Sequence, residues 1–272
     1  MKKTVSLKSI VLLLVVMYAF AACTKDNDKD NNVNVSVNTM SAKWIISKSN
    51  SPYASFEFTN EGNYIVVGNT ATPRSGSASR SSTTKLFTGN RAETVNTRAS
   101  EIDTSPVYFG TYSINGNKIN LTGLGVMEVK SLTDEDISFS FKPDATGTTS
   151  NYEADKAAPV ATSSKTDLLC RTWVVQRVTR NGADDPDASS IGFVTVFSKA
   201  GTYLFIPDSG GVGLARWRWA DSAENAFHYT WWAVDWEDYG TATITKLDNN
   251  NLVIQEVIED EGVSVTYLIP KK

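Results

Sequence analysis

Thr172-Trp173-Val174-Val175-Gln176, then Phe197-Ser198-Lys199-Ala200-Gly201-Thr202-Tyr203, then Trp217-Arg218-Trp219, then Leu247-Asp248-Asn249-Asn250-Asn251-Leu252: these blocks of the second half repeat a pattern already present in the first. Trp44-Ile45-Ile46-Ser47 stands where Trp173-Val174-Val175-Gln176 does. Phe58-Thr59-Asn60-Glu61-Gly62-Asn63-Tyr64 matches Phe197 to Tyr203. Gly110-Thr111-Tyr112-Ser113-Ile114 matches Ala215 to Trp219, and Val129 to Phe139 matches Ile244 to Ile254. The order is kept and no block contains a gap. Each copy is roughly 100 residues long, enough to enclose a core of its own.

Both copies read as strands and turns. Ile137, Phe139 and Phe141 alternate with Ser138, Ser140 and Lys142; Val263, Val265, Tyr267 and Ile269 alternate with Ser264, Thr266 and Leu268; Trp217 and Trp219 alternate with Arg216 and Arg218. A period of two puts one face inward and the other on water. Asn115-Gly116 and Glu261-Gly262 sit where hairpins must reverse. Gly62 and Gly201 occupy the left-handed position of longer hairpin loops. No helical period stands out beyond residue 22. About seven strands in the first copy and about eight in the second predict an all-β chain of two tandem antiparallel up-and-down barrels, in which closure removes exposed edges. The alternative is a pair of immunoglobulin-like sandwiches. Those place a tryptophan mid-domain, whereas Trp44 and Trp173 open their units.

The first-strand tryptophan, the hairpin glycine, Trp217-Arg218-Trp219 and the late Asp248-Asn249-Asn250-Asn251 turn resemble the lipocalin-like domains of Bacteroidota lipoproteins. The resemblance covers residues 168–272 well and 41–142 more loosely. It implies the fold and brings no catalytic residues with it. The domain reading is a signal peptide over 1–22, a lipidated flexible tether over 23–40, a first barrel over 41–142, a linker over 143–167 and a second barrel over 168–272. Residues 69–105, rich in Ser, Thr, Asn and Arg, interrupt the first barrel between a strand ending at Gly68 and one starting near Val107. So long a polar insertion is either disordered or a functional loop whose Arg74, Arg80, Lys85, Arg91 and Arg98 suit anionic glycan or lipid headgroups, and disorder is the expectation. Residues 143–167 are rich in Ala, Thr, Ser, Asp and Pro, which suits a linker.

The amino terminus says where the protein goes. Lys2, Lys3 and Lys8 precede an apolar run from Ile10 to Ala22, and Phe20-Ala21-Ala22-Cys23 leads into the polar stretch Thr24 to Asp30. That order describes a secretory signal, and the run is short of the roughly 20 residues that span a bilayer. With cysteine at the cut it resembles a bacterial lipoprotein signal, which implies cleavage before Cys23, acylation there, and attachment to the membrane through the acyl chains. The Asn/Asp/Lys run after Cys23 resembles the signal for the outer face of the outer membrane; the periplasmic face is the alternative. Asp26, Asp28 and Asp30 imitate a calcium loop, yet no glycine follows Asp30 and Val37 stands where such a loop needs glutamate, so no metal is assigned.

Removal of residues 1–22 takes away three lysines and no acids, moving the formal charge from −4 to −7. So acidic a chain lacks the basic surface that nucleic acid requires. With Cys23 committed to lipid, Cys170 has no disulfide partner and reads as a small buried hydrophobe. His228, the single histidine, cannot build a histidine-rich metal site. No phosphate loop, dinucleotide fingerprint or nucleophile elbow is present, and no cofactor is expected.

The second copy holds six of the seven tryptophans, and Phe227 to Gly240 concentrates rings and acids. Adjacent Trp231 and Trp232 cannot both enter one core from a single strand. Trp217, Trp219, Trp231, Trp232, Trp236, Tyr239, Asp235 and Glu237 are therefore the candidate ligand-binding residues, since rings stack on sugar C–H faces or apolar ligands and carboxylates accept hydroxyl protons. The functional expectation is a membrane-anchored, non-catalytic module binding a small apolar ligand or a glycan. One alternative is an accessory lipoprotein using these rings to contact a partner protein. The last is a glycan-acting enzyme using Asp235, Glu237 or Asp238.

Overall fold

The computed structural model describes residues 33–69, 105–186, 188–208, 211–231, 236, 239–259 and 261–272, with only the backbone of Trp231 among these. Cys23 and the segment 70–104 lie outside them. The chain forms two closed antiparallel barrels in tandem.

The first barrel consists of β1 (Lys43–Ile46), β2 (Tyr53–Phe58), β3 (Asn63–Gly68), β4 (Val107–Asn115), β5 (Lys118–Leu121), β6 (Gly125–Leu132), β7 (Asp136–Pro143) and β8 (Ser150–Lys156). Each strand pairs with the next, and β8 closes on β1 through Ile45↔Asp155. β3 ends at Gly68 and β4 begins at Val107, the two edges expected for the polar insertion. The strands flanking it pair directly, Val67 against Val107.

The second barrel repeats the design with β9 (Thr172–Arg180), β10 (Ala183–Asp184), β11 (Val194–Phe197), β12 (Thr202–Ile206), β13 (Gly213–Trp219), β14 (Ala226–Trp231), β15 (Gly240–Leu247), β16 (Leu252–Ile258) and β17 (Gly262–Pro270). β17 returns to pair with β9, and β10 is a short hairpin arm folded back on β9. Even the irregularities recur: a bulge falls between Val129 and Ser131 in β6 and between Ile244 and Lys246 in β15. Gly62 and Gly201 hold φ of +78° and +80° in their hairpin loops, a backbone state that side chains with a Cβ resist.

Two boundaries differ from the sequence reading. Residues 150–156 are not linker; they form β8 and complete an eighth strand of the first barrel. In Ser150-Asn151-Tyr152-Glu153-Ala154-Asp155-Lys156 just Tyr152 and Ala154 are buried, so the apolar alternation is too sparse to outweigh a polar composition. The chain between barrels shortens to 157–163. The flexible tether likewise ends early, because Met40 is fully buried and Val33 and Val35 pack on the first core.

Each barrel is preceded by a helix too short to show a period: α1 (Val37–Met40), capped by Ser36, and α2 (Ser164–Leu169), capped by Ser163. The indole N–H of Trp44 donates to the Met40 carbonyl at 3.2 Å, and that of Trp173 to the Leu169 carbonyl at 2.9 Å. Each tryptophan thus fastens a helix end by satisfying a carbonyl that the helix cannot. Lys156 lies over the Trp44 ring and Arg171 over the Trp173 ring.

The barrels share a third cluster. Ile65 and Val67 on the outer face of β3 pack with Val196 and Leu204 on the outer faces of β11 and β12. β3 and β12 carry apolar residues on both faces, as strands buried from both sides do. Beside this cluster, the buried Lys43 ammonium donates to Thr202 Oγ1 at 3.1 Å, and Thr202 Oγ1 donates to Glu57 Oε2 at 2.7 Å. Asn63 Nδ2 donates to Thr172 Oγ1 at 3.3 Å, and the Thr172 amide donates to Glu61 Oε2 at 2.8 Å.

Candidate functional site

The ring-rich stretch of the second barrel divides into three groups. Trp217 is 1% exposed; its indole donates to the Ser198 carbonyl at 2.9 Å, and its ring meets those of Phe197, Trp219 and Phe227 edge-on. Trp219 donates to Thr166 Oγ1 at 2.8 Å, tying β13 to α2. Both rings point into the barrel, and both are engaged in packing and in holding the helix.

The second group faces outward. Arg216 and Arg218 bring their guanidinium groups over the Trp236 ring at 5.2 and 4.2 Å. Tyr239, 43% exposed, stands 4.1 Å from His228 between ring centroids. His228 shares a hydrogen bond of 2.9 Å between its Nδ1 and Thr241 Oγ1. Burial, with the nearby Arg218 charge adding to it, lowers its pKa, so the ring is neutral at physiological pH. Trp231 ends β14 with its backbone opposite Ala215. Trp232, Asp235, Glu237 and Asp238 lie outside the described residues. Among the described residues no group of three or more His, Cys, Asp or Glu side chains could hold a metal ion. Cys170 is partly buried against the second core, and burial pushes its thiol far above the ordinary range, which leaves it inert.

A further group was not singled out from the sequence. Glu256 stands on β16 in the register of Leu252, Ile254 and Ile258, all buried, and it is 7% exposed. Its carboxylate accepts a short hydrogen bond from the Tyr229 hydroxyl. Tyr203, fully buried, sets its ring edge-on to Tyr229 with centroids 6.3 Å apart. Burial raises the hydroxyl pKa of Tyr203 well above its usual value despite a hydrogen bond with Thr195; the Glu256 charge adds to the rise. Tyr229 is raised for the same first reason, with the charge and hydrogen bond of Glu256 next. Both hydroxyls therefore keep their protons at any physiological pH. Ser264, directly opposite Glu256 in the ladder, is 2% exposed, and its Oγ has no hydrogen-bond partner among the described residues. Thr266, 1% exposed, follows on the same face. At the edge of this group Arg180, opposite Ser264 on β9, pairs with Glu261 and with Asp185.

The first barrel shows what such a position ordinarily holds. Trp44 pairs with Phe56 and Trp173 with Thr195; Tyr112 with Leu121 and Trp217 with Tyr229. Val129, Phe139 and Tyr152 neighbour one another across the ladder as Ile244, Ile254 and Thr266 do. Phe141 opposite Ser150 corresponds to Glu256 opposite Ser264. So Phe56, Leu121, Phe141 and Tyr152 stand where the second barrel has Thr195, Tyr229, Glu256 and Thr266. In the first barrel these apolar and aromatic side chains fill the interior: Phe56 meets Phe141 at 5.2 Å and Phe139 at 5.3 Å, and Phe139 stacks on Tyr152 at 5.4 Å.

Two glycines shape the polar group. A Cβ on Gly213 would fall 1.8 Å from Phe205 Cε1, and one on Gly240 would fall 2.4 Å from Tyr229 Cζ. Each ring lies over the glycine facing it across the ladder, along the barrel wall instead of across the interior. Chemically the group offers one carboxylate, hydroxyls from tyrosine, serine and threonine, and aromatic faces. No protein-family model matches this chain, and no curated protein matches it.

Proposed function

We propose that this chain is an exported, lipid-anchored binding protein of the lipocalin-like kind, in which the second barrel takes a small ligand and the first is scaffold. A single contrast carries the reading: one fold, present twice, has Phe56, Phe141 and Tyr152 at positions where the other copy buries Thr195, Glu256 and Thr266 beside its own rings. Burying polar groups where apolar ones fit costs stability, and such departures from good packing concentrate at functional sites. The ligand has an apolar or ring-faced body and carries hydrogen-bond donors for Glu256. A glycan or a small apolar molecule with a polar end satisfies that description.

The test is to give the second barrel the interior of the first. In T195F/E256F/T266Y the polar group becomes Phe, Phe and Tyr as in the first barrel. Titration of the mature protein with a panel of fatty acids, glycans and small amines, followed by tryptophan fluorescence, should show saturable binding for at least one class. The triple variant should retain its strand circular dichroism and lose that binding by tenfold or more. Binding undiminished in a folded triple variant places the site elsewhere and ends this reading.

Anchoring rests on Cys23 and on the segments around it. Attachment through acyl chains at Cys23, on the outer face of the outer membrane, would display the second barrel to the medium. Cys23→Ala is expected to release the chain from the membrane fraction and to remove the acyl mass from its amino-terminal peptide. A variant that stays membrane-bound would refute the anchor.

A further inference from the structure

We infer that the outer face of β16 and β17 is a docking surface for a second copy of this chain. The inference does not rest on the proposed ligand site. Val253, Val257, Val263, Val265, Tyr267 and Ile269 alternate with the residues that enter the second barrel, so their side chains stand on its outside. They neighbour one another across the ladder, Val253 against Tyr267 and Val257 against Val263. None belongs to the three cores, and Val257, 79% exposed, is the most exposed large apolar side chain among the described residues.

The first barrel shows that the fold does not require such a face. By the correspondence of Ile254 with Phe139 and of Thr266 with Tyr152, Val253, Val257, Val265, Tyr267 and Ile269 take the places of Ser138, Lys142, Asn151, Glu153 and Asp155. Those five are polar or charged, and all but Ser138 are exposed. A contiguous apolar surface where the sister copy meets water marks a contact.

Continuity, charge and side-chain stiffness identify the occupant. Val194 packs in the cluster that joins the barrels; it stands opposite Val174, and Val174 stands opposite Ile269. The face therefore runs on from the surface through which this chain already holds a copy of its own fold. Its rim carries both signs, Arg177 paired with Asp184, Arg180 with Glu261 and Lys246 with Asp248, so it favours a balanced partner over an anionic surface. Lys271 and Lys272 follow one end of the face and Glu259 the other. A two-fold axis that reverses the strands sets the lysines of one copy against Glu259 of the next. Valine and isoleucine are stiff at χ1 and lose little freedom on docking, which suits sheet packed on sheet. A face that lies in lipid is instead rich in Trp, Phe, Lys and Arg, whereas this one has a single ring, Tyr267, with Arg177 4.9 Å over it. Residues 24–32 carry no apolar side chain and residues 70–104 are rich in Ser, Thr, Asn and Arg, so neither offers the face a match.

Sedimentation velocity of the mature chain carrying Cys23→Ala, which keeps acyl chains out of the measurement, should show a monomer–dimer equilibrium with Kd at or below about 10 µM. V257K/V265N/Y267E gives the face the residues that the first barrel has there. It should keep its strand circular dichroism and raise the Kd by about thirtyfold or more, a change of about 2 kcal/mol. Val257→Lys alone alters a side chain outside every core; it guards against a folding defect in the triple variant and should weaken the dimer about fivefold or more. A dimer that both variants leave unchanged uses another surface and overturns the inference. A chain that stays monomeric at about 100 µM overturns it too. Flotation with phosphatidylethanolamine and phosphatidylglycerol vesicles then assigns the face: binding that V257K/V265N/Y267E abolishes gives it to lipid, and no binding gives it to another protein or to a segment of this chain.

Discussion

Glu57→Ala is expected to cost about 3–5 kcal/mol, far more than a surface change, because it strands a buried ammonium between the barrels. Lys43 is 5% exposed and Glu57 3% exposed, with Thr202 Oγ1 bridging them as acceptor from one and donor to the other. Burial lowers the Lys43 pKa; the Glu57 charge works against that, and Arg216 works with it. Removing Glu57 leaves burial and Arg216 unopposed, so Lys43 loses its proton more readily and the interface loses its charge balance. The triple replacement K43M/E57L/T202V fills similar volume without charge. It should recover most of the loss or exceed the starting stability, as apolar replacements of buried pairs do. Urea unfolding of the three proteins checks both statements through the transition midpoint at constant slope. A Glu57→Ala protein within about 1 kcal/mol of the original would mean that water reaches the network.

Trp173→Ala should be the most damaging single truncation, about 3–5 kcal/mol for the lost ring and the cavity it leaves. Trp173 is fully buried at the start of β9, and its indole secures the last turn of α2 through Leu169. Trp173→Phe separates the two contributions. It retains most of the packing and removes one of two hydrogen bonds at the Leu169 carbonyl, which also accepts from the Arg171 amide at 2.9 Å, a loss of about 0.5–1.5 kcal/mol. Trp44→Ala should behave alike in the first barrel, since Trp44 makes the corresponding bond to Met40. Because Ile65, Val67, Val196 and Leu204 bind the barrels together, either truncation should move one shared unfolding transition. Two transitions in calorimetry, with only one displaced, would show that the barrels unfold separately.

Much of this fold was legible in the chain. The repeat located both opening tryptophans and both left-handed glycines, and alternation marked the strands around them. β8 was not legible, because two inward residues among seven cannot announce a strand over a polar composition. Glu256 was closer to view than its omission suggests. The aligned blocks stop at Phe139 and Ile254; two positions further, Phe141 falls on Glu256. A charged residue in an apolar register, opposite a phenylalanine in the other copy, was the signal. The emphasis on tryptophans passed over it, since large rings in a small barrel chiefly serve packing, as Trp217 does. The outer faces of β3 and β12 carried their own hint: Tyr64-Ile65-Val66-Val67 and Tyr203-Leu204-Phe205-Ile206 do not alternate. Runs apolar on both faces are buried on both, but a single chain does not say against what.

The join between the barrels has an exchange symmetry. Lys43 and Thr172 hold the same place in their copies, as do Asn63 and Thr202; Lys43 bonds Thr202, and Asn63 bonds Thr172. Ile65 and Leu204, also equivalent, meet in the shared cluster. Each copy thus offers its sister the same patch, which is the arrangement of a two-fold homodimer. An ancestral one-barrel polypeptide that dimerised through this patch, followed by gene duplication and head-to-tail fusion, accounts for it directly. Covalent union made the pairing independent of concentration. It also released the twins from identity, so one could close its interior while the other kept polar groups inside.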